Sequence, residues 1–350
     1  MGPAQPSCLR NDGRNAVTEP DKFPELVCPQ DLTPLSADGS DALRCRHQHR
    51  YDVRRGIPRV VRDADNYAEA FGAQWRHYRV TQLDSYTGTN LSATRLRRCL
   101  GEELWRALEA RGPRLSVLEA GCGAGRFTEV LTRLPAAVVT STDLSSSVEQ
   151  NQENCPQSDS HRVVQCDIEH MPFRPGRFDL VVCLGVVQHT PSTERTLARL
   201  FDQVRPGGWL VIDHYPRSLA HYTRLGEMLL RPVLKRMPSA RGIEVTRALT
   251  RWFFPLHRAV RKFRPAQMLL SRVSPVLTYY HAFPELDDRL QYEWAELDTH
   301  DSLTDWYKHV RTRREIRNAL AALGVTDLWV ELGGNGIEAR CRKPLAATIT

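Results

Sequence analysis

The residues of this chain that are best suited to binding a ligand lie in one short run, Glu119-Ala-Gly-Cys-Gly-Ala-Gly125. Its glycines, Gly121, Gly123 and Gly125, let the backbone approach a ligand closely and adopt dihedral angles that other residues avoid. The G-x-G-x-G spacing differs from the G-x-G-x-x-G loop of dinucleotide sites, which holds a pyrophosphate at a helix N-terminus. The carboxylate of Glu119 would repel a pyrophosphate, whereas it suits a ligand with a cationic ammonium group.

Two further acidic residues follow short runs of β-branched residues. Asp143 comes about twenty residues after the glycines, at the end of the run 137–142, where a carboxylate can accept hydrogen bonds from ribose hydroxyls. Asp167 ends the run 162–166 and precedes Ile168, a pair that could hold an adenine amino group and cover one face of its ring. Either acid alone is a common turn former or helix cap. Three acids at successive strand ends, beside a glycine loop, indicate one nucleoside site.

These positions require strands that end at one edge of a sheet. From Leu115 to Ile212, β-branched runs alternate with helical segments, a pattern typical of a parallel sheet covered on both faces. The alternation stops near 215 and resumes at 312 with a helix and two strands joined by a short turn, so one closing strand must be antiparallel. We expect an α/β, Rossmann-like sheet of seven mostly parallel strands with one antiparallel closing strand. A small N-terminal β module and a helical insertion complete the expected fold.

The ordered motifs of this region resemble those of class I S-adenosylmethionine-dependent methyltransferases. The matching segments are 117–127, 142–144, 166–168, 177–182 and 205–210. The resemblance implies S-adenosyl-L-methionine as the cofactor, with Glu119 and the glycines around its methionine portion, Asp143 at the ribose, and Asp167 with Ile168 at the adenine. The implied cofactor-binding residues are Glu119, Gly121, Gly123, Gly125, Asp143, Leu144, Asp167, Ile168 and Leu184.

Candidate catalytic bases are expected after the fourth and fifth strands, next to the acceptor. His189 and His214 occupy these places, and a neutral imidazole accepts a proton near neutral pH. Capping or packing is the alternative role for each of the two. Three residues before the last helix could form another wall of the acceptor site, namely Asp305, Tyr307 and His309. The predicted core has no convincing set of metal ligands, so we expect transfer without a metal.

The N-terminal segment 23–62 resembles a zinc-ribbon-like module that precedes some methyltransferases and also forms small methyltransferase activator proteins. The usual pattern has two C-x-x-C pairs that make a tetrahedral sulfur site. Here Asp31 and Gln48 replace the second cysteine of the pairs that begin at Cys28 and Cys45. A histidine could complete a mixed site, either His47 or His49. A metal-free remnant with a packing or substrate-guiding role is the favoured interpretation, and no metal is predicted.

Positive charge is concentrated between the two halves of the predicted sheet. Residues 215–274 contain thirteen Lys or Arg against two Glu, whereas the whole chain has a formal net charge of +7. The favoured interpretation is a helical lid over the acceptor pocket with a solvated basic face. The alternatives are a groove for an anionic acceptor, transient contact with a membrane surface to reach lipid-linked substrates, or contact with a phosphate backbone. Nucleic acid ranks lower because the chain has no recognisable RNA-binding fold.

These patterns predict the organisation and class of the protein. The expected parts are a flexible arm (1–22), the zinc-ribbon-like module (23–62), helices that cap the cofactor site (63–112), the methyltransferase domain (113–214 and 310–345) and the basic insertion (215–309). No apolar stretch is long enough to span a bilayer, no signal-peptide core is present, and the nine cysteines form no disulfide framework, so we expect a cytoplasmic protein. We expect methylation of an oxygen of a small metabolite, glycan or lipid-linked intermediate; the alternatives are an RNA methyltransferase and a non-catalytic partner protein. The patterns indicate no oligomeric state.

Overall fold

The computed structural model describes residues 26–61, 67–218 and 222–345. The predicted flexible arm at 1–22 lies outside these described residues. Eleven strands join in one sheet among them. The strands are β1 (Ser36–Ala37), β2 (Ala42–Arg44), β3 (Arg50–Arg54), β4 (Ile57–Val60), β5 (Leu115–Ala120), β6 (Ala137–Asp143), β7 (His161–Cys166), β8 (Phe178–Cys183), β9 (Val204–His214), β10 (Thr326–Gly333) and β11 (Gly336–Arg342).

Seven of these strands form the predicted Rossmann-like sheet, in the order β7-β6-β5-β8-β9-β11-β10. Strands β5 to β9 pair in parallel, and β11 pairs antiparallel with both β9 and β10. The expected mostly parallel sheet with one antiparallel closing strand is therefore confirmed. Its central strands carry consecutive apolar residues because helices cover both faces, and Val117 and Leu118 of β5 are both fully buried.

The strands of the N-terminal β module are part of the same sheet as the central strands. Strand β4 pairs in parallel with β7, and β3, β2 and β1 follow in antiparallel order, so the module extends the main sheet. Its apolar residues, among them Leu26 and Leu43, pack into the same core as the central strands. The physical reason is that β7 would otherwise end the sheet with unpaired backbone groups, which β4 satisfies. The resemblance of this module to a zinc ribbon stays a prediction.

The helices before β10 are α1 (Glu69–His77), α2 (Asp84–Thr87), α3 (Leu91–Glu109), α4 (Thr128–Leu131), α5 (Val148–Asn154), α6 (Thr193–Gln203), α7 (Leu225–Leu234), α8 (Ser239–Val260), α9 (Arg264–Val273), α10 (Asp288–Thr304) and α11 (Arg313–Ala321). Helix α11 begins where the sequence signals it, because Thr312 and Glu315 form a reciprocal capping box. Helices α7 to α10 make up most of the predicted insertion, and α10 packs against α8, α7 and α1. Across the described ranges, no helix combines the length and apolar character needed to cross a membrane.

Candidate active site

A cavity of about 500 Å³ lies at the carboxyl ends of the central strands. This is the edge where parallel α/β sheets bind ligands. The sheet provides its floor, helices α1 and α3 provide one wall, and the insertion provides another through α10 and residues 277–283. The N-terminal helices and the insertion both line this cavity, and the predicted parts of the chain, with their roles and bounds, stay predictions.

The glycine loop follows β5 and forms part of the cavity floor through Gly121 and Gly123. All three glycines have positive φ, +81° at Gly121, +51° at Gly123 and +102° at Gly125. A Cβ atom at Gly121 would overlap the side chain of Val186, and one at Gly123 would lie 3.1 Å from the Trp75 ring. The backbone therefore comes close to its neighbours in a conformation that glycine tolerates best. Gly125 does not line the cavity.

Asp143 at the end of β6 lies on the cavity wall, beside Leu144. Its Oδ2 accepts a hydrogen bond from the backbone N–H of Gly123 at 2.9 Å. Its Oδ1 accepts two more, from the N–H of Ser145 at 2.8 Å and from the hydroxyl of Ser145 at 2.7 Å. These bonds hold the carboxylate rigidly next to the glycine loop, which is where the sequence analysis placed a ribose.

Glu119 lies behind the loop and does not line the cavity. Its Oε2 accepts hydrogen bonds from the hydroxyls of Thr128, at 2.5 Å, and Ser141, at 2.8 Å. Its Oε1 is buried and has no hydrogen-bond partner among the described residues. Burial raises the pKa of Glu119 to about 7. The carboxyl group thus holds Thr128, the first residue of α4, in place through a hydrogen bond. The predicted contact of Glu119 with an ammonium group of the ligand stays a prediction.

Asp167 and Ile168, the two residues predicted to contact the adenine, have different surroundings in the structure. Ile168 lines the cavity, and so does Leu184 at the end of β8. Asp167 points elsewhere: its Oδ1 accepts from the N–H of Glu169 at 3.0 Å, and its Oδ2 lies 3.2 Å from His170 Nδ1. Asp167 therefore caps the short helical turn after β7, because that turn begins with an N–H that needs a partner.

His189 is the histidine that the structure places on the cavity wall. Its Nδ1 lies 3.1 Å from the carbonyl oxygen of Tyr307 and 3.2 Å from Oδ2 of Asp305. The rings of Phe71 and Tyr215 meet the imidazole edge-on at 5.2 and 5.3 Å. These contacts fix the ring, and within the described ranges its Nε2 makes no hydrogen bond.

Electrostatics around His189 favour its protonated form. Burial alone would lower the pKa of His189, but the carboxylates of Asp301 and Asp305 hold this pKa above the ordinary value. The pKa of Asp305 is lowered: burial opposes this, and His189, Lys308 and Arg231 outweigh it. The Nε of Arg231 donates to Oδ1 of Asp305 at 2.8 Å. A histidine with a carboxylate at one nitrogen and a cavity at the other is suited to proton transfer.

His214 does not reach the cavity. It is fully buried, its Nε2 lies 3.0 Å from the hydroxyl of Thr193, and its Nδ1 lies 3.0 Å from the carbonyl oxygen of Tyr215. Burial lowers the pKa of His214 to about 4. These contacts correspond to the packing role that the sequence analysis left open, because both nitrogens already have partners.

Several cavity residues were missed by the sequence analysis. Helix α10 contributes Asp298 and Asp301, which are half-buried acids on the face that also leads to Asp305. Burial raises the pKa of Asp298 to about 7, and Tyr279 donates a hydrogen bond to it. The available signal was the spacing of three aspartates at 298, 301 and 305, which places them along one side of a helix.

Arg126, directly after the glycine loop, is the second missed feature. Its guanidinium lines the cavity and donates to the hydroxyl of Ser92 and to Oε1 of Gln82, both at 3.1 Å. Its two neighbours Arg95 and Arg98 are paired with carboxylates, whereas the described residues give Arg126 no ion pair. A half-buried guanidinium that has no ion pair among the described residues is suited to binding an anionic group of a ligand.

Comparison with known proteins agrees with this geometry. Residues 118–212 match the sequence profile described as a methyltransferase domain. These residues form a class I S-adenosylmethionine-dependent methyltransferase domain. The fold and the methyl donor that the motifs implied are thereby confirmed for this domain, which contains the glycine loop, Asp143 and His189.

Relatives of the methyltransferase domain cover only part of this chain. Ubiquinone biosynthesis O-methyltransferase of Coxiella burnetii is 31% identical over 108 residues, which are 30% of this chain and 46% of that protein. An uncharacterised protein of Synechococcus is 36% identical over 113 residues, which are 30% of this chain and 27% of that protein. The chain thus spans less than half the length of these curated relatives.

Among solved structures, an S-adenosylmethionine-dependent methyltransferase of Mesorhizobium loti resembles this chain with a TM-score of 0.39 and 14% identity, over 69% of this chain and 96% of that one. A carbon methyltransferase, CurJ, resembles it with a TM-score of 0.37 and 16% identity, over 66% of this chain and 49% of that one.

Proposed function

We propose that the protein is a methyltransferase that transfers a methyl group from S-adenosylmethionine to an oxygen atom of a small or lipid-linked acceptor. The observation that carries this proposal is His189, which faces the cavity with a carboxylate at its Nδ1. A hydroxyl group at neutral pH is a weak nucleophile, and a positioned base that takes its proton raises the rate by about 10²- to 10⁴-fold. A base formed by His189 and Asp305 would contribute less to the transfer of a methyl group to an amine or a carbon.

The donor is proposed to bind over the glycine loop. Gly121 and Gly123 would approach its methionine portion, Asp143 its ribose, and Ile168 its adenine ring. The cavity volume of about 500 Å³ fits a ligand of this class. Arg126 is proposed to pair with the methionine carboxylate, because it lines the cavity and has no ion pair among the described residues.

The chain's own residues would then act on the acceptor. The bound donor supplies the methyl group and leaves as neutral S-adenosylhomocysteine, and the proton lost by the acceptor oxygen goes to Nε2 of His189. Asp305 is a positioning residue: the carbonyl oxygen of Tyr307 orients the imidazole at Nδ1, and the carboxylate of Asp305, 3.2 Å from the same nitrogen, stabilises the imidazolium that forms. The rings of Phe71 and Tyr215 keep water away from this pair.

The surface of the insertion supports a lipid-linked acceptor. Large apolar side chains are exposed on three of its helices, with Leu229, Trp252 and Leu269 at 74%, 77% and 70% exposure. Thirteen Lys or Arg accompany them in residues 215–274. Exposed apolar side chains among cations are suited to the interface of an anionic membrane, where each cation near the surface contributes about 1 kcal/mol. Helix α7 links this surface to the cavity, since Glu227 lines the cavity while Leu229 faces outward.

Titration calorimetry and an acceptor screen test the proposal. We expect the full chain to bind S-adenosylmethionine and S-adenosylhomocysteine, and to methylate a member of a panel of phenolic and other hydroxylated compounds presented free and in anionic vesicles. His189→Gln should lose about 10²-fold or more in kcat with donor binding unchanged. Absence of donor binding would support a non-catalytic protein, and methylation confined to RNA fragments would support the RNA alternative; either outcome contradicts the proposal.

A further inference from the structure

Four side chains of the N-terminal module converge on one point. They are Cys28, Asp31, Cys45 and His49, and one ligand atom from each lies within 4.8 Å of all the others. Both thiols are buried, and the carboxylate and the imidazole are half-buried. None of the four lines the cavity of the methyltransferase domain. The cluster is therefore a separate feature that the proposed function does not use.

The distances within the cluster are those of a tetrahedral metal site. His49 Nδ1 lies 3.3 Å from Cys28 Sγ, 3.4 Å from Cys45 Sγ and 3.3 Å from Asp31 Oδ2, and Cys45 Sγ lies 3.5 Å from Asp31 Oδ2. Zinc bonds of about 2.3 Å to sulfur and 2.0–2.1 Å to nitrogen or oxygen give a tetrahedron with edges of about 3.3 to 3.8 Å. Hydrogen bonding alone cannot explain the arrangement, because Nδ1 has one proton or one lone pair and here has three neighbours.

The surroundings orient these four groups. Thr33 donates two hydrogen bonds to Oδ1 of Asp31, from its N–H at 2.9 Å and its hydroxyl at 2.5 Å, which leaves Oδ2 to face the cluster. The hydroxyl of Tyr51 lies 3.3 Å from Cys28 Sγ. Such outer contacts orient metal ligands in known sites.

The backbone also turns tightly beside both cysteines. Leu32 N donates to Cys28 O at 2.8 Å, and Gln48 N donates to Cys45 O at 3.0 Å. Leu32 and Gln48 have left-handed φ values of 58° and 68°. Non-glycine residues in this region are uncommon and cluster at ligand sites, where the surroundings compensate their cost.

We propose that Cys28, Asp31, Cys45 and His49 bind one Zn²⁺ ion in a structural site. Two thiolates with an imidazole select zinc over magnesium or calcium, and four protein ligands close the coordination sphere. The sequence pattern favours a metal-free remnant, because Asp31 and Gln48 replace two cysteines. The proposal revises that interpretation: the oxygen of Asp31 takes one vacant position, and His49 takes the other from one residue further along.

The site is placed where it would stabilise the adenine end of the cavity. It lies in the module whose last strand, β4, pairs with β7 at Arg59↔Gln165 and Val60↔Cys166. Asp167 and Ile168 follow directly after β7. Loss of the ion is therefore expected to lower the melting temperature of the full chain and to weaken donor binding, without a change in the groups that surround His189.

Metal content of the full-length chain, purified under reducing conditions, tests the proposal. We expect about one zinc ion per chain in the wild type and below about 0.2 in His49→Ala and in Cys28→Ser with Cys45→Ser. His47→Ala is the matched control: Nδ1 of His47 lies 2.8 Å from the same Asp31 oxygen, yet its side chain is exposed, and the variant should retain wild-type zinc. Equal loss from His47→Ala and His49→Ala would overturn the ligand assignment.

Cobalt substitution gives a readout that does not depend on the variants folding. Wild-type chain stripped of zinc and given Co²⁺ should develop the visible absorption of tetrahedral cobalt with thiolate ligands, and zinc should displace it. Circular dichroism and donor titration establish whether each variant remains folded. Wild-type protein with no zinc and no cobalt absorption, or His49→Ala with wild-type zinc content, would overturn the proposal.

Discussion

Replacing Glu119 with glutamine tests how the buried carboxyl group behind the glycine loop contributes to stability. Burial raises the pKa of Glu119 from an ordinary 4.5 to about 7 in the folded protein. Between these pH values the unfolded chain has lost this proton while the folded chain keeps it. The free energy of unfolding therefore falls as pH rises from about 4.5, and this loss levels off above about 7. One pKa unit corresponds to about 1.4 kcal/mol, so the contribution of this group amounts to about 3 kcal/mol.

Glu119→Gln removes this titration while keeping a side-chain oxygen that can accept from Thr128 and Ser141. We expect the unfolding free energy of the variant, relative to wild type, to rise by about 3 kcal/mol between pH values of about 4.5 and 8. Urea unfolding followed by tryptophan fluorescence at several pH values measures this difference. Glu103→Gln, at an exposed position on α3, is the matched control and should show no such trend.

A difference between wild type and Glu119→Gln that stays constant across this pH range would refute the reasoning. The comparison isolates Glu119, because the raised pKa of Asp298 affects both proteins equally. Calorimetry on the same variant also tests the contact that the sequence analysis predicted. If Glu119 bound the donor's ammonium group directly, glutamine would weaken binding strongly; a supporting role behind the loop predicts a small change.

His189, the glycine loop and the exposed face of the insertion can each be tested by substitution. His189 acts as a base only when it is neutral, and its pKa is raised. In a pH–rate profile, kcat should therefore rise at a pH above the ordinary pKa of histidine. Asp305→Asn should move this rise to lower pH, because the variant lacks a carboxylate that stabilises the imidazolium. Gly121→Ala should abolish donor binding in calorimetry, since its Cβ would overlap Val186 at a φ of +81°, whereas Gly112→Ala, with nothing near its Cβ, should bind normally. Trp252→Glu should reduce co-sedimentation with anionic vesicles by about tenfold and leave donor affinity unchanged; equal sedimentation of variant and wild type would contradict the membrane contact.

The mostly parallel sheet, its antiparallel closing strand and the place of the cofactor loop could be predicted from local patterns. The run 180–183 is apolar and buried because both faces of a parallel sheet are covered, and that pattern is visible in the sequence. The positions of Gly121, Gly123 and Asp143 followed, since strand ends meet at one edge. The side-chain direction of Glu119 could not be predicted, because a strand buried on both faces has no polar side to indicate which way each residue points.

The insertion illustrates a second limit. Helix α10 is buried over most of its length, with polar residues such as His300 and Thr299 inside, so its sequence lacks the apolar stripe that reveals how a helix faces its neighbours. Asp298 and Asp301 face the cavity because α10 packs against helices that are distant in the sequence, among them α1. Asp305 was expected as a wall residue, but its pairing with His189 depends on the docking of the insertion, which no local pattern encodes.

The proposed base consists of residues from two parts of the chain. His189 belongs to the methyltransferase domain, whereas Asp305 lies at the end of α10 and is held by Arg231 from α7. Lys308 pairs with Glu227 at 2.5 Å and ties the same two segments together. The proposed base is therefore complete only when the insertion is docked, and the insertion also carries the surface proposed to meet a membrane. The insertion would thus both meet the membrane that holds the acceptor and complete the group that accepts its proton. Variants that break the contacts of Arg231 with Asp305 or of Lys308 with Glu227 should therefore lower kcat, while the glycine loop still binds the donor.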